Sequence, residues 1–245
     1  LEHHRLLHAM LTKAVYWQMI VTNPADRVQP PKAPKPKREC YDEVQTRILI
    51  DNLEKLTGND VKYKVAVLLD IFIGARLGEL AGLEWSDIDL KNGIISINKS
   101  SQYLSDKGIF TESSIREVAI PDFIVSLLEE YKLWYEEQKS IVGDFWHDSD
   151  RLFVQVDGKP ITPSTISKWF EKFIKQIGLP VITFHGLRHT NATLLIAQQV
   201  DVATVSARLG HAQITTTYNF YVHPLKSHDK HAGNVLENLL VTNAH

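Results

Sequence analysis

Apolar residues recur mostly at three- and four-residue intervals along the chain, and at two-residue intervals only briefly. Leu7, Met10, Leu11, Ala14 and Trp17 predict an amphipathic helix that stops at Asn23-Pro24. Asp42 to Leu56 reads as a second helix, closed by Thr57-Gly58; Tyr63 to Ile73 is a strongly apolar third, and Glu79 to Leu83 a short fourth. Alternation at Ile94 to Asn98 and Glu117 to Ile120 predicts two strands that pair across a polar loop. Pro121-Asp122 opens a long helix through Tyr131 and Trp134, with Asp122 placed as its cap. Leu152 to Val156 reads as a short strand, and Thr162-Pro163 starts a helix that Gly178 stops. Helices near 186–198, 202–208, 214–221 and 230–241 complete the pattern. The fold class expected is α+β, mainly α-helical, with a small antiparallel sheet.

One stretch breaks this periodicity. Pro24, Pro30, Pro31, Pro34 and Pro36 interleave with Arg27, Lys32, Lys35, Lys37 and Arg38. Proline removes backbone donors and fixes φ, so 24–38 reads as a stiff, extended, basic linker. The expected organisation is therefore a helix of a first domain at 1–23, the linker at 24–38 and a second domain at 39–245.

Charge sharpens that division. The whole chain is nearly neutral, at −2, but residues 1–38 hold seven basic and two acidic side chains, and residues 39–245 hold 20 basic and 27 acidic. A basic segment on an acidic body suggests a polyanionic partner for the segment. Apolar residues make up 44%, an ordinary globular value, and the richest apolar run, Val65 to Ala75, is interrupted by Asp70; a membrane span is excluded. A single cysteine, Cys40, allows no internal disulfide and no thiolate zinc site. The opening Leu-Glu-His-His has no signal-peptide pattern and reads as the start of a fragment.

Polar groups cluster in three places where helices should be apolar. These are Gly74-Ala75-Arg76-Leu77-Gly78-Glu79-Leu80, Thr183-Phe184-His185-Gly186-Leu187-Arg188-His189-Thr190, and Leu209-Gly210-His211-Ala212 with Thr215 to His223 after it. Taken singly, each has an ordinary explanation. Arg76 at a helix end could be a surface ion pair. His185 and His189, four apart, could share a face and bind a metal, although the glutamate of the metalloprotease motif is absent and Arg188 would set a cation beside the ion. Tyr218 and Tyr221 could be core or interface aromatics.

Together, and in this order, the motifs resemble the tyrosine recombinases, or phage-type integrases. Arg76 in G-A-R-L-G-E-L, His185 and Arg188 in H-G-L-R-H, His211 in L-G-H and Tyr221 in T-T-Y-N-F-Y-V-H match the family's pattern, at separations of 109, 3, 23 and 10 residues. The resemblance covers 39–245, and residues 1–38 look like the last helix of the family's core-binding domain with its basic linker. It implies a catalytic domain that cleaves and rejoins DNA strands through a covalent phosphotyrosine, in integration or excision of a phage or mobile element. Arg76 and Arg188 would flank the scissile phosphate, since guanidinium stays charged and donates two parallel bonds. His185 and His211 would add donors, and Tyr221 would be the nucleophile. His189 is read as structural.

Further implications are double-stranded DNA as partner, a synaptic tetramer of copies of the chain, accessory DNA-bending proteins, no metal or other cofactor, and a cytoplasmic location in a bacterial cell or phage host. Lys32, Lys35, Lys37 and Arg38 would contact phosphates. The chain departs from the family at the hairpin lysine that acts as general acid. Thr111-Glu112-Ser113-Ser114-Ile115-Arg116 fits the tail of that motif, but Phe110 stands in the lysine's place. Either Lys107, three positions upstream, serves, or residues between Gly108 and Ser113 are missing from the chain. The other readings are a recombinase-like DNA-binding protein without full catalysis, and a metal-dependent hydrolase built on His185, His189 and His211.

Overall fold

The computed structural model describes residues 2–30, 40–100, 115–211 and 215. The chain divides into two compact units, 1–38 and 39–245.

In the first unit, helix α1 (Glu2–Tyr16) is followed by a 3-10 turn over Pro24–Arg27. The helix is shorter than its apolar pattern predicts, because Gln18 adopts a left-handed conformation (φ 58°) and turns the chain back. Asn23 fixes the return. Its Nδ2 donates to the His8 carbonyl at 3.1 Å and to Thr12 Oγ1 at 2.9 Å, while its Oδ1 accepts from the Ala25 amide. His8 Nε2 meets Asp26 Oδ1 at 2.7 Å. Residues 24–27 are thus a turn folded on α1 rather than extended linker: Pro24 sits in the first turn, where its missing N–H costs nothing. Leu6, Leu7 and Met10 of α1, and Trp17 just after it, are exposed. Lys32, Lys35, Lys37 and Arg38 lie outside the described residues.

The second unit is built around α3 (Val61–Ile73), which is apolar nearly all round and therefore central. Around it pack α2 (Glu43–Leu53), α5 (Asp122–Val142), α6 (Pro163–Gln176) and α7 (His185–Ala197). Helix α4 (Leu77–Gly82) follows α3 directly, and α8 (Val202–Leu209) packs on α7. Asp42 caps α2 by accepting from the Gln45 amide, with the Gln45 side chain accepting from Asp42 N in return. Helix α5 begins at Asp122 itself: Pro121 is the capping position, and the Asp122 carboxylate lies in the first turn, where the helix dipole favours it, instead of serving as the predicted cap.

The sheet has three antiparallel strands in sequence order: β1 (Ile88–Asp89), β2 (Ile94–Ile97) and β3 (Arg116–Ala119). Ile95 pairs with Val118 and Ile97 with Arg116, so Ile95, Ile97 and Val118 enter the core while Glu117 faces water. The predicted pair of strands is present, and β1 adds to it. The predicted strand over Leu152–Val156 is absent. Leu152, Phe153 and Val154 are buried in succession, held by single bridges of Arg151 to Glu84 and of Val154 to Pro160. The Leu152 amide is used by the Leu83 carbonyl and the Gln155 amide by Lys159, so the segment reverses on itself before a ladder can form. The helices predicted near 214–221 and 230–241 lie outside the described residues. No helix among the described residues is long and apolar enough to cross a membrane.

Candidate active site

The site grows from the C-terminal end of α3. Gly74 stops this helix in the left-handed conformation (φ 60°), its amide donating to the Asp70 carbonyl at 2.8 Å. A Cβ there would lie 2.6 Å from Leu209 Cδ2 and 3.1 Å from Asn191 Oδ1, so both the turn and the packing require glycine. The turn delivers Arg76 in an extended conformation at the start of α4.

Glu79 then fixes Arg76. Its Oε2 accepts from the Arg76 amide at 2.9 Å and its Oε1 from Arg76 Nη1 at 2.7 Å. Arg76 Nη2 reaches the Gly210 carbonyl at 3.4 Å, and the side chain stays 43% exposed. Glu79 itself is buried, and Arg116 Nη2 from β3 also bonds its Oε2, at 2.9 Å. Burial pushes the Glu79 carboxyl up, but the Arg116 guanidinium, with the amide and guanidinium of Arg76, outweighs this and holds it below the ordinary carboxylate value.

Helices α7 and α8 dock on the same end of α3 through polar side chains. Asn191 Nδ2 donates to the carbonyls of Ile71 (2.7 Å) and Phe72 (3.1 Å). Arg208 Nη2 donates to Phe72 (2.8 Å) and to the Ala119 carbonyl of the sheet (3.0 Å). Arg188, only 2% exposed, donates through Nη1 to the Gly74 carbonyl at 2.7 Å. These groups satisfy carbonyls that the helix end leaves open. Arg188 Nη2 is buried with no hydrogen-bond partner among the described residues. Burial, with the Arg76 and Arg116 charges, pushes the Arg188 guanidinium down to about 10, which leaves it charged at neutral pH.

His211 follows a second left-handed glycine, Gly210 (φ 66°), where a Cβ would lie 2.8 Å from Arg116 Nη1. Arg116 Nε meanwhile donates to the Arg208 carbonyl at 2.8 Å, so one guanidinium ties β3 to both α4 and the end of α8. The His211 amide donates to the Ser206 carbonyl at 3.1 Å. Burial, followed by the charges of Arg188, Arg76 and Arg116 and the nearby His189, pushes the imidazole down to about 4. His211 is neutral at physiological pH. His185, exposed at the first turn of α7, meets His189 edge to face at 4.8 Å between centroids.

Four of the sequence-predicted residues, Arg76, His185, Arg188 and His211, therefore lie on elements that converge on one end of α3. Tyr221, Tyr218 and Lys107 lie outside the described residues. Between Gly108 and Ser113 the sequence holds Ile109, Phe110, Thr111 and Glu112, a segment that also lies outside the described residues; Lys107 is the nearest lysine on that side. At the base of the same loop Lys99 is engaged by Glu84 and Asp87; those carboxylates outweigh burial and raise its pKa, so it holds its proton more firmly. Glu79 and Arg116 were present in the quoted motifs without a role. Their partnership spans 37 residues and shows no spacing signal. Among the described residues no group of three or more acidic, histidine or cysteine side chains is arranged to hold a metal ion.

Residues 40–228 match the family model described as the phage integrase family. The chain belongs to this family. A XerC-like tyrosine recombinase of Caldanaerobacter subterraneus subsp. tengcongensis is 31% identical over 77% of this chain and 52% of its own length. The ICEBs1 integrase of Bacillus subtilis is 28% identical over 96% of this chain and 64% of its own length. The chain thus spans roughly half to two-thirds of these relatives. Among solved structures, the Tn1549 transposon integrase in complex with transposon right end DNA superposes with a TM-score of 0.72 at 20% identity, covering 89% of this chain and 72% of that one. The mainly helical fold with its small antiparallel sheet is that of this integrase.

Proposed function

We propose that this integrase-family chain is the catalytic part of a site-specific recombinase that cleaves and rejoins double-stranded DNA through a covalent phosphotyrosine at Tyr221. The observation that carries this reading is the pairing of two differently held arginines. Arg188 is buried, anchored by one nitrogen and left with Nη2 unused; Arg76 is half-exposed and braced from behind by Glu79. A phosphodiester with two non-bridging oxygens is the ligand that such donors suit, and preorganised donors of this kind stabilise the charge that grows as a nucleophile attacks phosphorus. Neutral His211 can donate one hydrogen bond to an oxygen without adding charge. The tyrosine hydroxyl would displace a DNA 5′ oxygen, form the phosphotyrosine ester and keep the bond's energy for rejoining.

On this reading residues 39–245 are the catalytic domain, 28–38 the basic linker whose Lys32, Lys35, Lys37 and Arg38 contact phosphates, and 1–27, with the turn folded on α1, the end of a core-binding domain. The chain would act in the cytoplasm of a bacterial cell or phage host, as a tetramer on two DNA sites with accessory DNA-bending proteins, moving a phage or mobile element. The test is a nicked duplex that traps the covalent complex. Tyr221→Phe abolishes the trapped complex while binding persists, and Arg188→Lys severely reduces trapping because it keeps the charge but loses the planar fork. Trapping that survives Tyr221→Phe and disappears in Tyr218→Phe overturns the choice of nucleophile; wild-type trapping in Arg188→Lys overturns the role given to the guanidinium.

A further inference from the structure

Beneath the two arginines lies a group that the reaction as described does not use. Asp70, on the last full turn of α3, is completely buried, and neither carboxyl oxygen has a hydrogen-bond partner among the described residues. The Ala75 amide lies near and favours the charged form without making a bond of good geometry. An isolated buried carboxylate is among the most costly groups a core can hold, so an acid kept at such a position needs either a proton or a counter-charge. Both are at hand. The Asp70 carbonyl accepts the Gly74 amide, and the Gly74 carbonyl accepts Arg188 Nη1, which places the acid next to the arginine through a single helix-ending turn. The charges that act on Asp70 come from three elements: Arg188 of α7, Glu79 of α4 and Arg116 of β3. Helices α5 and α6, which also pack on α3, add apolar residues to the shared core, Leu128, Ile166 and Phe170 among them.

We propose that Asp70 is a positioning residue for Arg188 whose proton is linked to phosphate occupancy: it shares the arginine's charge in the empty site and is protonated when a phosphodiester takes that charge. The inference rests on the reading of Arg188 as a phosphate ligand. The Asp70 carboxyl oxygens and Arg188 Nη2 are each buried without a hydrogen-bond partner among the described residues, and the Gly74 turn, bonded to the Asp70 carbonyl on one side and to Arg188 Nη1 on the other, joins the two residues. With the site empty, Arg188 is the largest charge favouring ionised Asp70, against the burial that opposes it. A phosphodiester contributes one negative charge on the far side of the same guanidinium. It offsets that help, and burial then decides in favour of the neutral acid. Asp70 is already held well above the ordinary carboxylate range, so the linkage falls nearer neutrality than for a surface acid.

The sign follows from linkage. The occupied site binds more protons than the empty one, so oxyanion affinity falls as pH rises through the titration of Asp70, by up to about tenfold per pH unit for one proton. His211, pushed down to about 4, lies below that window.

The experiment uses the full chain and sulfate, a tetrahedral oxyanion that stays ionised, at constant ionic strength between about pH 5.5 and 9. The expected result is a wild-type sulfate dissociation constant that rises with pH, and an Asp70→Asn variant whose dissociation constant matches the low-pH wild type and stays flat. Carboxyl 13C NMR of the wild-type protein, which needs no variant to fold, should place the Asp70 titration at higher pH with sulfate than without. A flat wild-type profile, an unchanged slope in Asp70→Asn, or an Asp70 titration that ignores sulfate overturns the inference. If sulfate binding is pH-dependent or flat but lost in Arg188→Ala, the phosphate reading stands on its own. Binding indifferent to Arg188→Ala removes that reading and the inference together.

Discussion

Glu79→Gln tests the brace behind Arg76. The wild-type carboxylate takes three bonds, from the Arg76 amide, Arg76 Nη1 and Arg116 Nη2, at 2.9, 2.7 and 2.9 Å. The amide of glutamine keeps one accepting oxygen and turns an N–H₂ toward a guanidinium. The two arginines do not weigh equally. Arg76 is 43% exposed, so its ion pair is worth surface amounts, about 0.2–1 kcal/mol. Arg116 is 6% exposed in its side chain, and removing one partner of a buried pair costs about 3–5 kcal/mol. Because glutamine retains part of the hydrogen bonding, the expected loss is about 2–4 kcal/mol. For a unit of this size that is a fall in Tm of roughly 4–16 °C. Urea unfolding of wild type, Glu79→Gln, Arg116→Met and the double variant measures it, and the double variant should recover part of the loss because no buried guanidinium has lost its carboxylate. The pH dependence provides an independent check. Glu79 is held below its ordinary 4.5, so its contribution is complete above that value and disappears as pH falls through the folded-state pKa; the gap between wild type and Glu79→Gln should close in acid. Stability within 0.5 kcal/mol of wild type, in the range of about ±0.5 kcal/mol typical of neutral surface changes, would refute the brace.

Three further outcomes are expected. His211, lowered from 6.5 to about 4 in the folded state, makes the protein less stable as pH drops from 6.5 toward 4, because the unfolded chain takes up the proton first; His211→Gln should flatten that part of a stability–pH curve. Neutralising Lys32, Lys35, Lys37 and Arg38 together should weaken DNA binding and reduce its salt slope by up to about four, and an unchanged slope would place these charges in solvent even in the complex. Lys107→Ala should slow cleavage by about 10²–10⁴-fold on ordinary DNA and be rescued by a substrate with a better leaving group, a rescue that fails if another group is the acid.

Legibility in the sequence followed the range of the interaction. The pairing of β2 with β3 could be read because Ile95 and Ile97, and Val118 and Ile120, recur at two-residue intervals; β1, two residues long, has no period to detect. Leu152 to Val156 misled because an apolar run says that a segment is buried without saying what its amides bond, and here they bond Leu83 and a tight reversal. The end of α1 depended on Gln18 turning left-handed, a choice that a non-glycine side chain does not advertise. In the site, Arg76, His185, Arg188 and His211 stood out as polar residues in apolar surroundings, whereas Arg116 was legible only as the tail of the hairpin motif, with no role until Glu79 and the Arg208 carbonyl were found beside it. Asp70 registered only as an interruption in an apolar run.

That interruption and the arginines share one cause, the buried end of a central helix. Helix α3 runs through the middle of the domain, so its last carbonyls emerge where water cannot serve them. The chain answers with cations and an amide from α7 and α8: Asn191 on Ile71 and Phe72, Arg208 on Phe72, Arg188 on Gly74. A helix C-terminus carries about half a negative charge, which offsets part of the cost of burying Arg188 and keeps it ionised. An arginine with five donors can meet that structural demand with one nitrogen and still hold another in reserve. Lysine could not do both with a fixed direction, since its donors rotate about a single point charge. The same contact that ends α3 therefore also aims Arg188, and the structural and chemical requirements at this position fall on one guanidinium.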